Sequence, residues 1–323
     1  MYNLFPKVRT LKGLKDNIDD AIDNNGIVLE DHLEGFSDDL GNPLLSFLDS
    51  KNFKDVISLE YEVSDELKKR WHNLNLVPNI KMKRSIIFSH FEEYNIHPTH
   101  NYVNLICSFN GAPHVGRQLL TSIMHSFGMF EPMVCSKNFK YSKEHIDGHL
   151  LNFGLSDKKQ RLYKKFFSND DEFLNNVYSF GFTKYDHKAN IHTLENKLTS
   201  SFIHLVSETK STSYYPFITE KFMYSVVTRG LFIANAQPRW HHHLEKFYGF
   251  KKYDTIFDYS FDDIKNPIER LVRLMEMIGK FSKLSIDDWN DLYLMEQDTV
   301  EYNYDHFFSK RYVDYINQDM LIT

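Results

Sequence analysis

The sequence predicts an α/β protein built on parallel strands, and three observations carry that prediction. Two short apolar runs bounded by polar turn residues, Ile203 to Val206 and Leu231 to Ala234, read as buried parallel strands, and the segment between them can form a helix. A second unit of strand, Gly-containing loop and helix runs from Tyr102 to Phe127. Before it, residues 1–80 alternate short apolar runs with helical and acidic loop stretches.

Taken in order, Ile27 to Leu29 and Val56 to Leu59 are expected strands, with helices expected over Asp16 to Asn25 and Ser64 to Trp71. Ser85 to Phe88 and Tyr102 to Cys107 read as strands, a helix follows from Val115 to Phe127, and Met133 to Cys135 is the next expected strand. Residues 151–200 are charged and helical, with Lys158, Lys159, Arg161, Lys164 and Lys165 on either a solvated face or a patch for an anionic acceptor. Lys81, Lys83 and Arg84 form a smaller cluster with the same two readings. Pro267 to Phe281 is amphipathic, placing Leu271, Leu274, Met275 and Ile278 on one face, and Val300 to Ile316 reads as a last, aromatic-rich helix.

Composition bounds the function. A chain of 323 residues is long enough for two domains with their own cores. With 42% hydrophobic and 25% charged residues the composition is that of a soluble globular protein. The 27 Phe and 19 Tyr read as aromatic cores, with stacking platforms for bases or sugars as the functional alternative. A net charge of −6 argues against a general nucleic-acid binder while allowing a local basic groove. Cys107 and Cys135 have neither metal-type spacing nor a disulfide framework, which fits a reducing compartment. No apolar stretch reaches the ~18 residues of a bilayer span. The first residues, Met1 to Lys7, lack a signal-peptide core, so the expectation is a cytoplasmic protein without membrane insertion.

The central stretch carries the chemistry. Ile203 to Val206 ends in Ser207-Glu208-Thr209, and after a polar insert Thr219 is an N-cap for a helix opening with Glu220-Lys221. A helix start offers free N–H groups and a positive dipole end, which suit a phosphate. Lys221 adds a point charge, and Glu220 can accept from two ribose hydroxyls. The stretch therefore reads as a nucleotide-diphosphate site at the carboxyl ends of parallel strands.

Val206-Ser207-Glu208-Thr209, Ile218-Thr219-Glu220-Lys221, Gly249-Phe250 and the segment Asp258 to Asp262 together resemble a family of glycosyltransferases common in bacteriophages and large viruses. The Thr-Glu-Lys element is similar to the donor-binding motif of the α-1,3-fucosyltransferases, which have the two-domain GT-B fold. The resemblance covers roughly Ile203 to Arg273. It departs from the family at Tyr224-Ser225, at Arg229-Gly230 and at Tyr259. It implies that Glu220 holds the ribose and Lys221 the pyrophosphate of a UDP- or GDP-sugar. It further implies two Rossmann-like domains facing a cleft: residues 1–190 on the acceptor side, 191–295 holding the donor, and a C-terminal helix within 296–323 packing back on the first domain. With Glu208, Thr219 and Asp258 from the central stretch, Asn110 and Arg117 complete the expected donor site.

Inversion at the sugar would also require a general base. His90, Glu92 and Glu93 follow a predicted strand at its carboxyl end, and His114 begins the helix after Tyr102 to Cys107; of these, Glu92, Glu93 and His114 are the expected catalytic groups. Asn110, His114 and Arg117 either face the cleft or solvate a helix start. No D-x-D follows an apolar strand, and the neighbours His241, His242 and His243 diverge by about 100° per residue on a helix, so no metal and no cofactor is expected. The acceptor is open among a modified DNA base, a glycan and a protein. Alternatives of other classes are a non-catalytic sugar-nucleotide binder and a nucleotidyl- or phosphotransferase using the same pocket.

Overall fold

The computed structural model describes residues 102–131, 134–180, 186–209 and 218–312 continuously. Before residue 102 it describes residues 2–3, 27–28, 49–50, 52, 56–59, 69, 71–78, 91 and 93–98. The chain divides into two compact units, Met1–Phe88 with Thr212–Tyr215, and Ser89–Ser211 with Pro216–Thr323. The expected helices at 16–25 and 64–71, the strand at 85–88, the basic cluster Lys81, Lys83 and Arg84, and the residues His90 and Glu92 lie wholly or largely outside the described residues.

In the first unit, strands β1 (Tyr2–Asn3) and β2 (Ile27–Val28) pair in parallel, as do β3 (Val56–Leu59) and β4 (Asn75–Pro78). The second unit is mixed α/β around a small parallel sheet. Its elements are β5 (Asn104–Cys107), α1 (Val115–Ser126), α2 (Lys143–Asn152), α3 (Asp157–Lys164), α4 (Asp171–Asn175), α5 (His187–Thr199) and β6 (Ser201–Ser207). Then come α6 (Glu220–Val227), β7 (Leu231–Asn235), α7 (Trp240–Tyr248), α8 (Pro267–Phe281), α9 (Ile286–Met295) and α10 (Gln297–Phe308). The expected boundary between residues 190 and 191 falls inside this unit, because β5 hydrogen-bonds directly to β6.

The sheet order is β5-β6-β7, all parallel, with Ile106 opposite Ile203 and Ile203 opposite Leu231. Every residue of β6 and β7 is buried, which is why both strands read as mainly apolar runs rather than as alternation, with His204 the one polar residue inside the run Ile203 to Val206. Aromatic rings fill the layers on the sheet. Phe222 of α6 meets Phe232 edge-on at 4.8 Å, with Phe250 at 5.1 Å and Trp240 at 5.6 Å. Phe202 stacks on Trp289 at 5.7 Å and touches Phe281 at 5.9 Å. Such contacts add about 0.5–1.5 kcal/mol each beyond area burial. Most of the aromatic excess in the sequence is thus core.

Two expectations are corrected. In the expected strand Met133 to Cys135, Met133 lies outside the described residues, and Val134 and Cys135 do not form one: Cys135 makes one parallel bridge to Ser108, because the N–H groups of Val134 and Cys135 both turn back to the Glu131 carbonyl. The last helix begins at Gln297 rather than Val300, and it packs against α6, Phe91 and Tyr94. Arg229 secures it. Its guanidinium lies 3.4 Å from the Tyr304 ring centre, with Nε donating to Glu301 at 2.9 Å and Nη1 to the Ile96 carbonyl at 2.9 Å. Arg229 adopts φ 54°, a left-handed conformation that costs a non-glycine residue about 1–2 kcal/mol and that these contacts hold in place.

The basic run on α3 is neutralised in part, since Lys159 pairs with Glu269 at 2.5 Å and Lys164 with Asp147 at 2.6 Å. Among the described residues, no helix is long and apolar enough to cross a membrane.

Candidate functional site

The carboxyl ends of β5, β6 and β7 open on one edge of the sheet, and the start of α6 lies on that edge because α6 follows β6 through the loop after Glu208. Thr219 caps α6, its hydroxyl accepting from Lys221 N at 3.4 Å. Glu208, with no exposed surface, accepts from the Thr219 N–H through Oε1 at 3.0 Å. Its other oxygen, Oε2, is buried and has no hydrogen-bond partner among the described residues.

Lys221 Nζ donates to Glu220 Oε1 at 2.7 Å. From α1, the buried Arg117 reaches across: Nε donates to the Ser207 carbonyl at 3.3 Å and Nη2 to Thr209 Oγ1 at 3.1 Å. Asn235, at the end of β7, donates through Nδ2 to the Gly116 carbonyl at 3.0 Å, and its own carbonyl accepts from Glu208 N at 3.1 Å. These bonds lock the first turn of α1 to the strand ends.

The electrostatics divide the two carboxylates. Burial pushes the Glu208 carboxyl up to about 7, against the pull of Lys221 and the Thr219 N–H. Burial also opposes ionisation of Glu220, but Lys221 and Arg117 overcome it and hold that carboxyl down at about 2. Burial lowers Lys221 and Arg117 from their ordinary values, and the two carboxylates offset part of that loss. The arrangement is one buried and one half-buried cation, one firmly ionised carboxylate and one carboxyl poised near neutrality, gathered at a helix start.

Of the residues singled out in the sequence, Glu208, Thr219, Glu220, Lys221 and Arg117 come together. His114 is half-buried and begins α1, its carbonyl accepting from Arg117 N at 2.9 Å. Asn110 is buried and ties the loop: its N–H donates to Ser136 Oγ at 2.8 Å and Nδ2 to Ser108 Oγ at 3.2 Å. Lys137, on that same stretch, donates to the carbonyls of Phe139, Leu174 and Asn176. Asp258 is exposed and closes a turn, accepting from Ser260 N at 2.9 Å; among the described residues no hydrogen bond or ion pair joins it to the cluster. Glu93 is exposed.

Of the histidine triplet, His241 and His243 are buried and His242 is exposed. His241 is fully buried, its Nε2 accepting from Ala234 N at 3.0 Å and its Nδ1 lying 3.0 Å from Asp262 Oδ1. Asp262 also accepts from the N–H groups of His241 and His242, and despite burial the His241 ring and those N–H groups hold its carboxyl below its ordinary value. The sequence reading missed Ser207, Thr209 and Asn235 as partners in the site. Asn235 had a signal, a polar residue ending an apolar strand run. Neither a family model nor a curated protein nor a solved structure matches this chain.

Proposed function

We propose that this chain is a glycosyltransferase that moves a sugar from a nucleotide-diphosphate sugar to an acceptor, with the two-domain GT-B arrangement. The observation that supports the reading most is the convergence of Glu220, Lys221 and Arg117 at the start of α6, on the carboxyl edge of parallel strands. In this reading Glu220 accepts from the ribose hydroxyls, and Lys221, Arg117 and the free N–H groups of α6 face the diphosphate. As the bond from the sugar C1 to the phosphate oxygen breaks, negative charge grows on the diphosphate, and those donors stabilise it.

The acceptor hydroxyl must give up its proton. Glu92, Glu93 and His114 remain the proposed bases, and His114 is the one placed within a helical turn of Arg117. The acceptor class, whether DNA base, glycan or protein, and a cytoplasmic location belong to the same proposal.

A melting screen with UDP-, GDP-, ADP- and CMP-sugars tests the donor site. A donor present at a hundredfold excess over Kd stabilises the fold by about 2.7 kcal/mol, a shift of several degrees. Slow release of nucleoside diphosphate from the stabilising donor marks a glycosyltransferase. Release of sugar 1-phosphate, the leaving group when the nucleoside monophosphate is transferred instead, would make the chain a nucleotidyltransferase, binding without any release would make it a carrier, and no shift with any donor would remove the reading.

A further inference from the structure

Glu208 is built unlike the other polar groups of the site. One oxygen is fixed by the Thr219 N–H at 3.0 Å, while Oε2 is enclosed at the start of α6 without a hydrogen-bond partner among the described residues. A buried, unpartnered carboxylate oxygen is costly, whereas a protonated carboxyl placed there is a donor in want of an acceptor. The charged groups coupled to it are Lys221 and Glu220 on α6 and Arg117 on α1. Lys221 is the cation that most favours the ionised form of Glu208, and Lys221 is also the group a phosphate would engage.

We propose that a phosphate-bearing ligand binds at the start of α6 together with one proton, which Glu208 takes from solvent at Oε2 and donates in a hydrogen bond to a phosphate oxygen. The inference rests on reading this site as a diphosphate site. Its logic is electrostatic. A phosphate brings negative charge beside Glu208 and draws on the Lys221 charge that had favoured the carboxylate, so the bound ligand favours the protonated form. With the free carboxyl titrating at about 7, uptake is largest above neutrality and vanishes at pH 5, where Glu208 already carries its proton. Affinity therefore falls as pH rises above about 7, by up to about tenfold per pH unit. Glu208 thereby selects for phosphate oxygens that can accept a hydrogen bond, and it keeps a second buried negative charge from facing the ligand.

The test is calorimetric titration of the full chain with pyrophosphate, UDP and GDP at pH 8, in three buffers of different ionisation enthalpy. The wild type should take up close to one proton more per ligand than Glu208→Gln, which keeps the acceptor for Thr219 N and replaces the acid with an amide donor. The affinity of Glu208→Gln should also lose the component of pH dependence that Glu208 supplies. Equal proton uptake by the two proteins, with binding intact, overturns the role of Glu208 and leaves the phosphate site standing. If none of the three probes binds folded wild type, the phosphate site itself is wrong and this inference goes with it. Should Glu208→Gln not fold, infrared difference spectra of the wild type decide. A new protonated-carboxyl band on adding UDP, absent at pH 5, supports the assignment, and no such band refutes it.

Discussion

Lys221 and Glu220 are neighbours in sequence whose side chains meet at 2.7 Å in the first turn of α6. Consecutive helical residues point about 100° apart, so both long side chains must curl to make this contact, and rotation about their own bonds is enough to break it. Under the proposed function, the pair is a resting state in which the cation proposed for phosphate is held by the carboxylate proposed for ribose.

The pair predicts opposite effects for two ligands. Glu220→Gln releases Lys221, so bare pyrophosphate should bind several-fold more tightly. UDP and GDP should bind about ten- to a hundredfold more weakly, because a charge-assisted hydrogen bond to the ribose, worth roughly 1.5–3 kcal/mol, is lost. Calorimetry on both ligand types checks this. A change of the same sign for pyrophosphate and nucleotide would remove the ribose role.

Lys221→Met keeps much of the stem and removes the charge. An interaction that strengthens as the diphosphate leaves lowers the barrier, whereas one equal in both states only improves binding. With the proposed transfer reaction as the assay, kcat should fall about a hundredfold with a smaller change in donor KM. Arginine should rescue poorly, since a planar fork does not replace a compact ammonium. A rise in KM alone would reassign Lys221 to uniform binding, and no change in either constant would place the phosphate elsewhere.

How far the sequence could be read follows from how local each cause is. Thr219, Glu220 and Lys221 were legible as a helix start because N-capping is decided within three residues. The runs Ile203 to Val206 and Leu231 to Ala234 were legible because strands buried on both faces are dominated by apolar residues, with His204 the polar exception. The pairing of β5 with β6 was not, since it joins Ile106 to Ile203 across nearly a hundred residues, and that contact moves the unit boundary from 190/191 to 88/89. Arg117 looked like a helix-start residue open to a cleft. Its anchors, the Ser207 carbonyl and Thr209, come from another strand end and carry no local signal. The burial of His241 carried no local signal, because its partner Asp262 lies 21 residues on.

Arg117 ties α1 to the end of β6 and, under the proposed function, also faces the diphosphate, so its removal should show both effects. Arg117→Ala leaves the buried Ser207 carbonyl without a donor and Glu208 with one fewer cation nearby. The cost should be about 2–4 kcal/mol, a fall in Tm of several degrees, alongside weaker diphosphate binding. A variant that melts like the wild type would mean the guanidinium contributes nothing to the fold.

Glu208 should make stability depend on pH in the direction opposite to an ordinary salt-bridged acid. Its carboxyl is raised from 4.5 to about 7 on folding, so between those values the folded chain holds the proton more tightly than the unfolded one. Its contribution is full below pH 4.5 and is lost as pH rises through about 7, by on the order of 3 kcal/mol. Glu208→Gln cannot titrate. Urea unfolding at pH 5 and pH 8 should show the wild type losing more stability over that interval than Glu208→Gln does. Parallel pH profiles for the two proteins would show that Glu208 is ionised throughout.

Gly230 and His204 fix how closely the turn before β7 approaches the middle of β6. A Cβ added at Gly230 would lie 2.0–2.5 Å from three atoms of the His204 ring, and that ring has nowhere to go: it is buried, and its Nε2–H donates to the Leu198 carbonyl at 2.8 Å. Burial lowers the ring to about 4, so it is neutral at working pH and moving it would break a bond that water cannot replace. Gly230→Ala should cost at least the ~1–3 kcal/mol typical of overpacking. His204→Ala should also destabilise alone, by opening a cavity and freeing the Leu198 carbonyl. In the double variant the new methyl enters the space the imidazole left, so the two losses should fall short of their sum by about 1–3 kcal/mol. Urea unfolding of the four proteins measures that coupling. Strict additivity would mean that the backbone at Gly230 shifts away from β6 instead, and that the glycine is not required by the ring.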